Sequence, residues 1–233
     1  MPYTTIKEKI KKTLINPTLS PNKFWDLLIM QTVKISALII IPLTLLIVFL
    51  LVTPMCLNRQ IILDVNKVTS LKDVIFFFSI PTVFFLGVLP VLYEKVYEKK
   101  SFYDIGLMYG RNRVYILWML VSFAILLAST LTLYHSVEYT LFFILFLHNF
   151  AVALSEETLV RGVILIELKK IFNVYVSVII DAIIFAFVFH ANADMKINLF
   201  IRFPLGLILA LIATRAKSIH PCVLLHWAYN IMI

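Results

Sequence analysis

The feature that most constrains this chain is a succession of long apolar windows. About 20 apolar residues are needed to cross the hydrocarbon core of a bilayer. An open sheet edge cannot face lipid, so each window that crosses must be a helix. We therefore predict an all-α, polytopic transmembrane helical bundle of about seven spans, within a range of six to eight. The predicted spans are 35–52, 74–93, 114–133, 140–168, 174–190, 199–213 and 220–233.

Composition supports a membrane protein and excludes several other classes. Hydrophobic residues make up 61% of the 233 residues and charged residues only 15%, whereas soluble domains are about one quarter charged. The two cysteines form neither a disulfide framework nor a metal-ligand spacing. The net charge of +8 does not indicate nucleic acid, because the basic residues flank apolar runs. That placement favours anionic lipid headgroups as partners.

Basic residues are concentrated in alternate loops, which orients the bundle. The segment "YHSVEY" (134–139), between two of these loops, contains no lysine or arginine. The pattern predicts a multi-pass protein of the cell membrane with a cytoplasmic N-terminus. The loop cations that carry this prediction are Lys7, Lys9, Lys11, Lys12, Lys23, Lys95, Lys99, Lys100, Arg111, Arg113, Lys169, Lys170, Arg215 and Lys217.

Two regions are predicted. Residues 1–34 form a basic arm in which an apolar residue recurs every four positions between lysines, a pattern typical of a helix on the membrane surface. A second helix is expected to start near Pro21, a favourable first-turn position for proline. Residues 35–233 form one transmembrane domain, whose motif-bearing core is about 140–233. The apolar residues of the arm are Ile6, Ile10 and Leu14.

Ionisable residues inside the predicted spans point to function. Such a group costs about 3 kcal/mol on insertion scales, so it usually faces the bundle interior and has a partner. The candidates are Glu156, Glu157, Arg161, Asp181, His190, Arg202 and His226.

Helical geometry separates the two adjacent glutamates. Glu157 and Arg161 are four residues apart, so they share a face and can pair. Glu156 is turned by about 100° from its neighbour and is less well placed for the same arginine. Unequal environments push the pKa values of two carboxyl groups apart, which divides acid and base roles between them. The pair itself is equally well explained as a structural ion pair.

Two histidines complete a possible hydrolytic set. His226 and Asn230 lie four residues apart on one helical face, and His190 closes the fifth span. With a free glutamate they could activate water and stabilise an oxyanion, or they could serve as interhelical hydrogen-bonding groups. Asp181 is about 180° from His190 by helical period, so we place it outside the site. Arg202 is expected to snorkel to the interface.

The stretches "EETLVRG" (156–162) and "HWAYN" (226–230), with His190 between them, resemble the three motifs of a known family. It comprises the CAAX-processing and bacteriocin-processing intramembrane proteases (CPBP), also called the Abi family or type II CAAX endopeptidases. The resemblance covers about 140–233. It implies peptide-bond hydrolysis in or beside the membrane, without a covalent intermediate and without a metal.

The resemblance also implies residue roles. Glu156 would activate the water, and Glu157 with Arg161 would support it. His190 would hold the water or protonate the leaving amine, while His226 and Asn230 would form the oxyanion site.

One position departs from the family pattern. The family usually has phenylalanine four residues before the second-motif histidine, and Ala186 stands there, between two phenylalanines. The ring is then expected from a shifted helical angle.

The predicted function is an intramembrane endopeptidase acting on a membrane-associated or lipidated peptide or protein. The bias toward Ile, Lys, Asn and Phe favours peptide maturation or bacteriocin self-immunity over prenyl processing. A zinc-dependent form that uses His190, His226 and a glutamate is the chemical alternative, although no H-E-x-x-H helix is present. The intramembrane charges are also compatible with an ion-coupled transporter or with a non-enzymatic immunity or scaffold protein.

Overall fold

The computed structural model describes residues 21–62, 65–68, 70–191 and 193–233, and within these residues the main elements are seven helices. The described residues contain no β-strand, so the predicted all-α fold class is confirmed. The helices are α1 (Pro21–Cys56), α2 (Leu71–Val96), α3 (Arg113–Ser136), α4 (Tyr139–Ile171), α5 (Val174–Val188), α6 (Met195–Ala216) and α7 (His220–Met232).

Each predicted apolar window is helical, but the helices differ in reach. Five of the described helices are long and apolar enough to cross a membrane: α1, α2, α3, α4 and α6. The 13 residues of α7 extend only about 20 Å at 1.5 Å per residue, less than the roughly 30 Å of a hydrocarbon core.

The N-terminal arm is described only in part. The first helix begins at Pro21, as the sequence indicates, and continues without a break through the predicted boundary at residue 34. The surface helix predicted around Ile10 lies outside the described residues, as do the first four lysines of the arm.

Side-chain caps and small residues position the helices that follow. Asn112 Oδ1 accepts the Tyr115 backbone N–H at 2.7 Å and starts α3, and Asn173 Oδ1 does the same for Val176 at the start of α5. α7 packs against α3 and α4, while α6 packs against α5. A Cβ on Gly206 would lie 3.1 Å from the Ala182 Cα, so this glycine permits the close approach of α5 and α6.

Four of the helices contain π-helical turns, in which the backbone hydrogen bond runs from residue i to i+5. Such turns hold one more residue per turn than an α-helix and shift the face that later residues present. The π-helical segments are Val74–Ser79, Val83–Val88, Thr158–Ile164, Ile184–Val188 and Asn198–Arg202.

An ion-pair network joins α1, α2 and α4 at the lysine-rich end of the bundle. Lys34 Nζ lies 2.8 Å from Glu98 Oε1 and 2.9 Å from Glu167 Oε2. In the sequence the loop lysines indicate only topology, whereas in the folded bundle they also neutralise buried carboxylates. The six members are Lys34, Lys100, Lys170, Glu94, Glu98 and Glu167.

Candidate active site

The two glutamates at the centre of α4 meet different surroundings. Glu157 is fully buried, and its Oε1 accepts a hydrogen bond from Arg161 Nη1 at 3.0 Å. This is the contact expected from their spacing. The side chain of Glu156 keeps 13% of its surface exposed, and its Oε2 has no hydrogen-bond partner among the described residues.

His226 of α7 lies between these carboxylates. Its Nδ1 donates to Glu157 Oε1 at 2.9 Å, and its Nε2 lies 3.8 Å from Glu156 Oε2. The imidazole is 1% exposed. Because Glu157 fixes the Nδ1 side of the ring, the other nitrogen is directed at Glu156.

Asp181 also belongs to this cluster, so its predicted exclusion is wrong. Its Oδ2 lies 3.4 Å from Arg161 Nε, and both side chains are fully buried. Arg161 therefore lies between two carboxylates from different helices. The predicted angle of about 180° between Asp181 and His190 assumed a regular α-helix. The last turns of α5 are instead π-helical, and His190 lies beyond the end of this helix.

His190 reaches the depth of Glu156 because α5 is short. Glu156 lies 15 residues before the end of α4 at Ile171, and His190 lies 16 residues after the start of α5 at Val174. At 1.5 Å per residue both are about 23 Å from the turn that joins these helices. The two residues therefore lie at similar depth in the bundle.

Phe185 links the two histidines. Its ring centroid lies 5.1 Å from that of His190 and 5.3 Å from that of His226, both edge to face. The Arg161 guanidinium lies over the same ring, 4.3 Å from its centroid. Phe185 is fully buried, so it acts as a rigid wall common to the three polar groups.

The π-helical turn explains the departure at Ala186. The Phe189 N–H donates to the Ile184 carbonyl at 3.2 Å, and His190 Nδ1 donates to the Phe185 carbonyl at 2.9 Å. Both bonds span five residues. A phenylalanine five residues before the histidine, rather than four, therefore presents its ring to the site.

The partly buried side chain of Arg202 is bonded to its own helix, and its predicted snorkelling to the interface stays a prediction. Its Nη1 donates to Asn198 Oδ1 at 2.9 Å, and Asn198 Nδ2 donates to the His190 carbonyl at 2.8 Å. Asn198 is 2% exposed. This chain of hydrogen bonds supports the backbone that carries His190, a role that no motif in the sequence signals.

Comparison with known proteins gives a match over the helices that carry this cluster. Residues 138–232 match the family model described as Rce1-like, type II CAAX prenyl endopeptidase Rce1-like. This region of the chain is therefore similar to that family. The matched residues run from the start of α4 almost to the end of α7 and leave out α1 to α3. The match covers less than half of the 233 residues, and within that region it indicates similarity to CAAX-type endopeptidases. No curated protein and no solved structure matches the chain.

The matched region also forms part of the wall of a cavity of about 890 Å³. Its lining includes Val152, one helical turn before Glu156, and Asn230, one turn after His226. The cavity lies at the end of the bundle opposite the lysine–glutamate network. The remaining lining residues are Val65, Ser129, Thr132, Leu133, Ser136, Leu145, His148, Asn149, Ile231, Met232 and Ile233.

Asn230 is the predicted site residue that the structure connects least directly to the others. Its backbone carbonyl accepts from Asn149 Nδ2 at 3.1 Å, and no side-chain hydrogen bond joins it to the cluster within the described residues. His148, which also lines the cavity, bonds to Ser79, with 3.3 Å between Nδ1 and Oγ.

A metal ion would need three or more ligand atoms close to one another. Among the described residues, the grouping whose ligand atoms all lie within 4.8 Å of one another is Glu94, Glu98 and Glu167. Lysine ammonium groups already neutralise these three acids. Glu156, His190 and His226 do not meet that spacing, so the His₂Glu zinc alternative gains no geometric support.

Proposed function

We propose that the chain hydrolyses a peptide bond in a membrane-associated or lipidated peptide by means of a water activated by Glu156. The observation that carries the proposal is the inequality of the two glutamates. Glu157 is bonded to both Arg161 and His226, whereas Glu156 Oε2 lies 3.8 Å from His226 Nε2 and has no hydrogen-bond partner among the described residues. One carboxylate is held as a structural anion, and the other is available to accept a proton.

In the proposed reaction, each polar residue near Glu156 has a separate role. Glu156 takes a proton from water as the oxygen bonds to the scissile carbonyl carbon. The negative charge that develops on the carbonyl oxygen is stabilised by the Nε2–H of His226, whose positive charge Glu157 stabilises from the other side. When the C–N bond breaks, the leaving amine takes a proton from Glu156 or from His190. We assign Asn230 to the oxyanion side, near the cavity.

We further propose that no metal takes part. Among the described residues, Glu156, His190 and His226 do not bring three ligand atoms within 4.8 Å of one another. A chelator at millimolar concentration is then expected to leave activity unchanged. A loss of activity that added zinc restores would establish the zinc alternative.

The membrane context remains part of the proposal. Exposed basic residues such as Lys99 and Arg111 would contact anionic headgroups at the cytoplasmic face, with the N-terminus on that side. Peptide maturation or bacteriocin self-immunity is the biological role that we propose for the cleavage.

The deciding experiment compares the membrane peptidomes of cells that carry the wild type, Glu156→Gln or Glu138→Gln. Glu138 is exposed and lies outside the cluster, so it is the matched control. Cleavage products should fall by about 10²- to 10⁴-fold with Glu156→Gln, the usual contribution of general acid–base catalysis. They should persist with Glu138→Gln. Equal product levels in all three strains would refute the proposed enzyme and favour a non-enzymatic membrane protein.

A further inference from the structure

Arg202 is partly buried and lies beside the candidate site. Asn198, Arg202 and Gly206 recur every four residues along α6. Gly206 packs against α5, and its carbonyl lies 3.4 Å from Arg161 Nη2. The three residues between Asn198 and Arg202 are exposed to the lipid side at 46%, 73% and 49%. The arginine therefore lies on the stripe that faces Phe185 and His190, away from lipid.

The charge of Arg202 has no close counterion. Among the described residues no carboxylate oxygen lies within 4.0 Å of it, and its Nε is buried without a hydrogen-bond partner. Arg161, by contrast, contacts both Glu157 and Asp181. An intramembrane cation usually faces an aqueous cavity or pairs with an anion because its burial is unfavourable. Arg202 is thus a cation that can still accept an anionic partner.

Arg202 is connected through Asn198 to the backbone of His190, one of the candidate catalytic residues. One hydrogen bond joins it to Asn198, and a second joins Asn198 to the His190 carbonyl, at 2.9 and 2.8 Å. Its charge interacts electrostatically with His190. A group bound to Arg202 would therefore lie on the α6 side of the scissile bond, close to the histidine.

We propose that Arg202 binds a carboxylate of the substrate and thereby selects which peptide bond reaches Glu156. This inference rests on the proposed function. A guanidinium presents a planar fork of donors that matches a carboxylate in two parallel hydrogen bonds. The substrate class is then a peptide with a carboxylate at a fixed number of residues from the cleaved bond. That carboxylate is either the C-terminus or an acidic side chain.

The first test profiles the cleaved termini in cells that carry the wild type, Arg202→Gln, Arg202→Lys or Arg111→Gln. Wild-type substrates should share a carboxylate at one fixed distance from the cut. Arg202→Gln should lower their cleavage about 10- to 100-fold, as expected for the loss of a hydrogen-bonded charge pair, and Arg202→Lys should retain part of it. Arg111→Gln alters an exposed loop arginine and should change nothing.

The second test uses synthetic forms of the best substrate from that profile: free acid, C-terminal amide, and a form with each acidic side chain replaced by its amide. For the wild type, the form that lacks the recognised carboxylate should have a KM raised by about 10- to 100-fold, with less change in kcat. Arg202→Gln should cleave all forms equally. The form that loses affinity identifies which carboxylate is bound.

Several results would overturn the role proposed for Arg202 and leave the role proposed for Glu156 unaffected. Wild-type substrates with no carboxylate at a fixed distance would do so. So would a uniform loss of cleavage together with a lower melting temperature in Arg202→Gln, which would make the arginine structural. Loss of a co-purifying anionic lipid with unchanged cut sites would assign it to a headgroup phosphate. Glu156→Gln reports separately on the reaction itself, because it should abolish cleavage of every synthetic form.

Discussion

Glu156 and Glu157 are neighbours in the chain, yet one helical step gives their carboxylates different partners. Glu157 contacts Arg161 and His226 and is fully buried, whereas Glu156 lies near the far nitrogen of His226 without a hydrogen bond to its Oε2 from the described residues. Helical spacing alone was sufficient to predict this inequality. It was not sufficient to predict Asp181, because the contact of Asp181 with Arg161 depends on how α4 and α5 pack.

The first residue-scale prediction concerns Arg161. Arg161→Met should destabilise the protein by about 3–5 kcal/mol, because it leaves Glu157 and Asp181 buried without their cation. The measurement is the free energy of unfolding in detergent. The triple variant Arg161→Met/Glu157→Gln/Asp181→Asn should recover most of that stability but not the activity. If the single and triple variants are equally unstable, the cluster is held by packing rather than by charge compensation.

Elements with a changed helical period are the part of the fold that was least predictable from the sequence. A uniform period of 3.6 residues was assumed for every span, and no feature of "IIFAFVFH" (183–190) distinguishes a π-helical turn from an α-helical one. The turn follows from tertiary packing, since Phe185 must face His226 and Arg161 while Gly206 fits against the same helix. The sequence therefore predicted an aromatic ring beside His190, but not that this ring would come from the residue five positions earlier, Phe185.

A deletion tests this register at the scale of the helix. Removing Ala186 would place Phe185 four residues before His190, so an α-helical turn could present the same ring and histidine. We expect this variant to keep measurable cleavage. Removing Val178, in the α-helical part of α5, rotates the following residues by about 100° and should abolish cleavage. The peptidome assay measures both, and equal loss in the two deletions would contradict the proposed role of the π-helical turn.

At the scale of the whole molecule, hydropathy was sufficient to predict which segments are helical, because the bilayer requires it. The matched region and its three motifs were also recognisable in the sequence. Hydropathy also predicted that the last span is short, as the 13 residues of α7 confirm. It did not reveal that Lys34 joins α1 to Glu98 and Glu167, which lie more than 60 residues away in the chain. Contacts of that range depend on the assembled bundle.

The lysine–glutamate network makes a prediction about acid stability. Hydrogen bonds from Lys34 and Lys170 lower the pKa of Glu98 from 4.5 to about 2. Because the folded state has the lower pKa, the stabilisation is complete above about pH 4.5 and is lost as the pH falls toward 2. Thermal stability in detergent should therefore decline through this window in the wild type. Glu98→Gln should be less stable at pH 7 and should decline less steeply, while Glu138→Gln, an exposed control, should follow the wild type. A Glu98→Gln variant with the wild-type acid profile would show that Glu98 does not help to hold α1 against α4.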